Sequence, residues 1–337
     1  GALARCRQVM VVGDTNQLPP TNFFKKMIEE DDEDEDDYVL EESILEMANC
    51  VFTPNRRLRW HYRSRHSGLI QFSNEHVYNN SLLVFPSPDE AREDFGLSFV
   101  AVDGSYMSGV NPVLVSTMIV SILRFMHLNP DISFGVVTLN QKQRDLLLEE
   151  WEKEVEQNLF ASEYIESWLK KNDGLESFFI KNLENVQGDE RDVIFIGTVY
   201  GPERPGFPVM QRFGPISGIS GKRRLNVLFS RAKQQIVTFS SMTSADIKAD
   251  EQGNPGAYML KQWLEYVVTG ILPIPMPSLE PDSDFEIFVI NQLQAMGVEP
   301  VPQVGVSGYR IDIGIRHPLW PHGFLMGVEC DGASYHS

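Results

Sequence analysis

Four short stretches of this chain hold the residue types that handle phosphate. The first is Gly13-Asp14-Thr15-Asn16-Gln17-Leu18-Pro19-Pro20, and the second is His61-Tyr62-Arg63-Ser64. The third runs from Glu184 to Asp192 (ENVQGDERD), and the fourth from Arg223 to Lys233 (RRLNVLFSRAK). Guanidinium groups clamp phosphate oxygens through two parallel bonds. Beside a γ-phosphate they stabilise the charge that develops in the transition state. Read as a helix, the fourth stretch puts Arg224 and Arg231 on one face, seven residues apart. Gly13, Asp14 and Gln17 follow the apolar run VMVV, at a strand end, where open α/β sheets bind ligands. Taken singly, each stretch is equally well a surface arginine, a turn glutamine or a capping asparagine, so their order matters.

A second set lies near the C-terminal end. Phe285-Glu286 opens a helix, and PQVGVSGYRID (302–312) leads into a strand. GVECDG (327–332) ends another, followed by Tyr335-His336. Side chains alternate along a strand, so Glu329 and Asp331 are expected on one side. Asp312, on a neighbouring strand, would join them. Three converging carboxylates repel unless a cation lies between them, and magnesium suits such oxygen ligands.

These residues need a frame. Strands are predicted at QVMVV (8–12), LSFVAV (97–102), SFGVVT (133–138), DVIFIGT (192–198) and QIVTFSS (235–241). Between them lie helical patterns, with 61–64 opening one of them. Residues 141–160 place Leu147, Trp151, Val155 and Leu159 on one stripe. The methionine-containing stretch 116–128 reads as a core helix face. Strands alternating with helices predict a parallel sheet covered on both faces. One helix is predicted over 256–268. Prolines at 273, 275, 277 and 281 then predict an extended linker. A new unit, helix–strand–strand, starts near Asp284. It is too short to close a core, so the chain is expected to be a piece of a longer protein.

Composition fits a globular protein, with 42% hydrophobic and 23% charged residues in 337. Cys6, Cys50 and Cys330 are scattered, which excludes a disulfide framework or a zinc cluster and points to a reducing, cytoplasmic setting. No apolar run approaches the about 18 residues that span a membrane, and no leader opens the chain. The net charge of −18 argues against nucleic acid, but residues 29–42 (EEDDEDEDDYVLEE) hold 11 acids and no bases. Subtracting those 11 from −18 leaves −7. The run reads as a solvated loop insertion rather than as a nucleic-acid mimic covering a basic groove.

The order of the four stretches resembles the second half of a superfamily 1 helicase, motifs III to VI, over residues 8 to 241. G-D-x-x-Q-L-P-P after a strand and R-R-L-N-V-x-x-S-R-A-K before one carry the resemblance. The branch is the one whose motif IV reads Q-Y-R, with His61 in place of the glutamine. The resemblance implies ATP as substrate, magnesium, and a single strand of DNA or RNA as partner. It implies that Gln17 senses the γ-phosphate next to Asp14, and that Tyr62 stacks on the adenine. Arg63 and Arg231 would be arginine fingers, with Arg224 nearby. Gly188 and Glu190 would sit at the nucleotide, and Gln187 would face the nucleic acid. Thr138 and Asn140 would hold a backbone phosphate of the strand. The family has T-P-Y where this chain has T-L-N, so the aromatic residue is absent there.

A loop of the form G-x-x-x-x-G-K-[S/T], which cradles phosphate, occurs nowhere in the sequence. Gly221-Lys222 has Ile216 five places before it and Arg223 after it, and reads as a turn before the motif VI helix. No apolar strand ends in Asp-Glu. Both elements precede motif III in the family, so this chain is expected to complete a site rather than to hydrolyse ATP alone. The C-terminal pattern resembles the PD-(D/E)XK nuclease fold in its very-short-patch-repair-like branch. That resemblance implies Glu286, Gln303, Asp312, Glu329, Asp331 and His336 as site residues and magnesium on Asp312, Glu329 and Asp331.

The expected organisation is therefore α/β. Residues 1–50 would be a remnant of a first RecA-like lobe, and 51–245 a second lobe with a parallel sheet. Residues 246–283 would be a helix and linker, and 284–337 an incomplete restriction-endonuclease-like domain. Two other readings are a metal-dependent endonuclease with an accessory helicase module, and a non-catalytic nucleic-acid clamp.

Overall fold

The computed structural model describes residues 5–18, 43–89, 91–270, 280–305, 310–320 and 323–330. The acidic run, the prolines at 273, 275 and 277, Asp331 and His336 lie outside them. The chain divides into two compact units, Gly1–Leu58 and Arg59–Ser337.

In the smaller unit the segment 8–12 is not a strand. Met10 is 87% exposed and Val12 is exposed as well. A strand needs a neighbour to take its backbone bonds, and no strand lies among the described residues of this unit. Helix α1 (Ile44–Val51) is capped by the Ser43 side chain, which accepts from the Glu46 N–H.

The larger unit is built on a five-stranded, all-parallel sheet in the order β3-β7-β6-β4-β5. Its strands are β3 (Gly96–Ala101), β4 (Phe134–Thr138), β5 (Phe179–Asn182), β6 (Arg191–Gly197) and β7 (Ala232–Ser240). Every residue of β4 is buried, as expected of a parallel sheet covered on both faces. Val193, Phe195, Val237 and Phe239 face a core built with α3 (Pro112–Leu128), α4 (Gln141–Val155) and α5 (Leu159–Lys170). The opposite face meets α2 (Gly68–His76) and α7 (Pro255–Thr269), with α6 (Gly218–Phe229) packed against both helices. There Trp263 stacks on Phe229 with centroids 3.8 Å apart and donates to Thr238 of β7 at 3.2 Å. Phe72 meets both rings edge-on.

Asparagine starts four of these helices, Asn140 at α4 among them. Asn111 caps α3 and Asn254 caps α7, each followed by proline at the first helical position. Asn158 caps α5. That cap explains why 141–160 is two helices rather than one: α4 ends at Val155, and Leu159 is exposed.

Other boundaries differ from expectation too. Residues 60–61 form β1 (Trp60–His61), paired in parallel with β2 (Leu83–Val84), and the helix begins only at Gly68. Gly221 and Lys222 lie inside α6 rather than in a turn. A Cβ on Gly221 would collide with the Ile216 backbone, so this glycine is a close-packing residue. Arg231 lies beyond the end of α6, so the helical argument for a face shared with Arg224 fails. β5 was not legible, because FIKN is short and half polar.

At the C-terminal end, β8 (Glu299–Val304), β9 (Ile311–Arg316) and β10 (Met326–Val328) form an antiparallel sheet in the order β10-β9-β8. Helix α8 (Asp284–Ala295) packs on β8 and β9. Phe285, Ile287, Phe288 and Met326 remain exposed. β10 ends at Val328, so Glu329 is past the strand, and strand alternation no longer relates it to Asp331. β8 was missed because Pro300 and Pro302 argue against a strand; paired with β9 alone, it is an edge strand.

Truncating Trp263 to alanine leaves a cavity against Phe229 and Phe72. It should cost about 3–5 kcal/mol, read as a lower urea midpoint with an unchanged slope. A loss under about 1 kcal/mol would mean that this face is not part of the cooperative core.

Candidate functional site

The amino ends of β6 and β7 collect charge from three distant segments. The chain just before β7 supplies Arg231 and the loop just before β6 supplies Glu190. The two strands are neighbours, and the Arg191 N–H donates to the Arg231 carbonyl at 3.2 Å. Arg63, from the segment after β1, donates to the Glu190 carboxylate at 2.8 Å and to the Ser230 carbonyl at 3.1 Å. Lys233 bridges Glu176 at 2.6 Å and Glu190 at 3.3 Å.

Arg231 is only 4% exposed. Its guanidinium donates to the Val227 carbonyl at 2.8 Å and to the Ser230 hydroxyl at 3.0 Å, closing the end of α6. Burial, and then the charge of Arg63, push it down to about 10, so it stays charged at neutral pH. Arg63 thus disfavours the charge on Arg231, and Glu190 and Asp189 offset this only in part. An anion would relieve it. At Glu190 burial works to raise the carboxyl, but Arg63 and Lys233 outweigh it and hold the group below the usual range. Glu176 is lowered chiefly by its bond to Lys233.

Beside this cluster, His61 Nε2 accepts from the Ser64 N–H at 3.2 Å and lies 2.9 Å from its hydroxyl. Burial and Arg63 together lower its pKa to about 4. Tyr62 is 93% exposed, so its ring is available to a flat partner. Gly188 has φ +90°, which a side chain would strain. Gln187 and Gly188 lie on the loop that returns from the carboxyl end of β5 to the amino end of β6. Arg224 is elsewhere. It donates to the Pro215 carbonyl at 2.6 Å and lies 3.8 Å from Glu184.

In the smaller unit Asp14 builds a turn around itself. Its carboxylate accepts from the Asn16 N–H at 2.9 Å and from the Gln17 amide at 3.0 Å. Asp14 is thus a positioning group for Gln17.

Thr138 and Asn140 lie at the other end of the sheet, past the carboxyl end of β4. Thr138 is fully buried, and its hydroxyl donates to the Asn140 carbonyl at 2.8 Å. The Asn140 side chain caps α4 at the Gln143 N–H (2.8 Å) and donates to the Gly109 carbonyl at 2.9 Å. Sequence reasoning missed Asn111 and Gln143. The Asn111 backbone N–H donates to the Gln143 side-chain Oε1 at 2.7 Å, and the Gln143 side-chain Nε2 donates back to the Asn111 backbone carbonyl at 3.0 Å. Asn111 also donates to Ser241 at 2.9 Å and to the Val199 carbonyl. All of these tie together the carboxyl ends of β4, β6 and β7. The Asn-Pro cap was visible in the sequence, but its partners were not.

In the C-terminal part Glu286 is buried. It accepts from Gln303 at 2.9 Å, from the Ser283 hydroxyl at 2.9 Å and from the Asp282 N–H at 3.0 Å. Asp312 accepts from the Cys330 N–H at 2.6 Å. Among the described residues no group of three or more acids, histidines or cysteines could hold a metal ion. Asp312 and Glu329 therefore do not make the expected magnesium site by themselves.

The pH dependence follows from three of these groups. Glu190 and Glu176 have lowered folded-state values, so their contribution is present above the unfolded carboxyl range and is lost as pH falls through the folded values. His61 is neutral in the fold, and the unfolded chain gains its proton below about 6.5. Its contribution is therefore lost as pH falls from there towards 4. The urea midpoint of the chain should drop between pH 7 and pH 4.5, and His61→Gln should flatten that fall. An equal fall in the variant would remove His61 from the account.

Residues 40–243 match the AAA_12 family, described as an AAA domain. Residues 285–337 match the restriction-endonuclease-type family REase_MTES_1575. The chain is 32% identical over 274 residues to an uncharacterized ATP-dependent helicase, MG140, of Mycoplasma genitalium, and 30% identical over 272 residues to its homolog in Mycoplasma pneumoniae. Each match takes 78% of this chain and 24% of the relative, so the chain spans about a quarter of their length. Among solved structures, the C-terminal domain of a possible DNA helicase from Lactobacillus plantarum WCFS1 aligns at 13% identity and a TM-score of 0.31, covering 53% of this chain and 86% of that one. The DUF1998 helicase MrfA, bound to DNA and AMPPNP, aligns at 12% and a TM-score of 0.29, covering 74% and 36%. Among the described residues no helix is long and apolar enough to cross a membrane. With a match over more than half of its length, the chain belongs to the AAA_12 family of AAA domains and carries a restriction-endonuclease-type segment behind it.

Proposed function

We propose that this chain supplies the second motor lobe of a superfamily 1, nucleic-acid-dependent ATPase that moves along or unwinds DNA or RNA. The observation that carries this reading is the convergence of Arg63, Glu190 and Arg231 at the amino ends of two adjacent parallel strands. A lobe that only clamps a strand has no use for paired guanidinium groups around a carboxylate.

In this reading ATP sits against Arg63 and Arg231, with Glu190 orienting Arg63. Tyr62 stacks on the adenine. Gly188 lets the loop approach the nucleotide; by the helicase resemblance, Gln17 of the smaller unit, held by Asp14, would sense a γ-phosphate. The magnesium-bearing phosphate cradle is supplied by a first lobe outside these 337 residues, since the sequence holds no G-x-x-x-x-G-K-[S/T] loop. Thr138, Asn140 and Gln187 serve the single strand. The pairing of a motor with a nuclease-type segment fits DNA repair or defence, by analogy of architecture.

The test is steady-state ATP turnover by the intact parent, with and without single-stranded nucleic acid. Arg63→Ala or Arg231→Ala should each lower stimulated turnover by roughly a thousandfold. The 337-residue chain alone should turn over no ATP. Turnover by this chain alone that Arg231→Ala abolishes would overturn the reading.

A second activity, metal-dependent DNA cleavage, rests on the match of residues 285–337. Asp312 would be its central carboxylate, with Glu286 and Gln303 as a buried positioning pair; the nuclease resemblance adds Glu329, Asp331 and His336 as site residues. Asp312→Ala in the intact parent should abolish magnesium-dependent nicking and leave ATP turnover intact. Unchanged nicking would remove this activity from Asp312.

A further inference from the structure

At the carboxyl end of β4 lies an open depression of about 620 Å³, lined by Tyr106, Ser108, Gly109, Asn140, Gln141 and Lys142. It adjoins the stretch Thr138-Leu139-Asn140, where an aromatic residue is missing from the sequence. The structure brings an aromatic ring to that place from a different segment. Tyr106 is half-buried and packs edge-on against Tyr200, with ring centroids 5.4 Å apart. Its N–H donates to the Pro202 carbonyl at 2.9 Å.

The chain after Tyr106 is locked. Met107 and Val110 exchange backbone bonds of 2.9 and 3.0 Å around a two-residue turn. Ser108 and Gly109 take φ values of +55° and +95° there, the geometry of a tight hairpin turn. The Gly109 carbonyl accepts from Asn140, and the Ser108 carbonyl accepts from Lys142 at 3.2 Å. Tyr106 is therefore fixed relative to the first turn of α4 and its exposed cation. A flat ring that is already immobilised costs little further entropy on binding. An aromatic face beside an ammonium group is the pairing that takes one nucleotide of a single strand, base on ring and phosphate on cation.

We propose that Tyr106 is a base-stacking platform of the strand groove, standing in for the aromatic residue that Thr138-Leu139-Asn140 lacks, and that Lys142 takes the adjoining backbone phosphate. The ligand class is single-stranded DNA or RNA. The inference rests on the strand-binding part of the proposed function.

The test is fluorescence anisotropy of the 337-residue chain with fluorescein-labelled oligo(dT) and oligo(U), each of about twelve nucleotides. Tyr106→Ala should weaken binding by roughly five- to 150-fold. Tyr106→Phe and Tyr106→Trp, which keep the ring, should stay close to the unmodified chain. Lys142→Ala should reduce the salt slope by about one. An abasic strand of the same length should bind the unmodified chain about as weakly as Tyr106→Ala binds oligo(dT). That comparison decides the matter even if the alanine variant does not fold. Stronger binding of oligo(dT) or of oligo(U) would name the source of the strand. Binding unaffected by Tyr106→Ala or by removal of the bases, but weakened by Asn140→Ala, would overturn the platform and leave the strand-binding reading standing. No binding of either strand by the unmodified chain would overturn both.

Discussion

The pairing of β6 with β7 is the constraint on which the larger unit depends. These adjacent parallel strands are buried on both faces, so their register is set by side chains that must reach two cores at once. Val193, Phe195, Val237 and Phe239 serve one core, and Thr238 answers Trp263 on the other. Once the register is fixed, the residues just before each strand have no freedom in where they emerge. Glu190 and Arg231 are brought together by the sheet rather than by attraction for one another. Arg63 then closes the group from outside by bonding to both segments.

The same geometry separates two kinds of chemistry. The charged cluster lies at the amino ends of the strands. Asn140, Lys142 and Tyr106 lie at the carboxyl ends, knitted by Asn111 and Gln143. The loop carrying Gln187 and Gly188 runs between the two ends, from β5 back to β6. The loop thus gives a short covalent route between the two ends of the sheet, through Gly188 at positive φ.

Much of this could be read in the sequence. The strands at 97–102, 133–138, 192–198 and 235–241 announced themselves as apolar runs of the right length, and their alternation with helices gave the parallel sheet. What failed did so for local reasons. The run 8–12 has the composition of a strand, but no strand lies beside it among the described residues of its unit. The continuous apolar stripe of 141–160 hid a capping asparagine at 158. β5 and β8 escaped because one is half polar and the other holds two prolines. At the site, the residue types were legible but their partners were not. Nothing in a linear reading says that Arg63 meets Glu190, 127 positions away, or that Arg231 turns back onto the end of α6. Tyr106 was invisible for the same reason, since the groove it lines is assembled from separate loops.

In the proposed function Arg63 and Arg231 read the terminal phosphate of a nucleotide. The most direct test is the ratio of ADP to ATP affinity in the intact parent, measured by calorimetry with and without Arg63→Ala. If the claim holds, the unmodified protein favours ATP, the variant loses that preference, and affinity for ADP stays the same. A preference for ATP that survives the change, or an equal loss of affinity for both nucleotides, would contradict it.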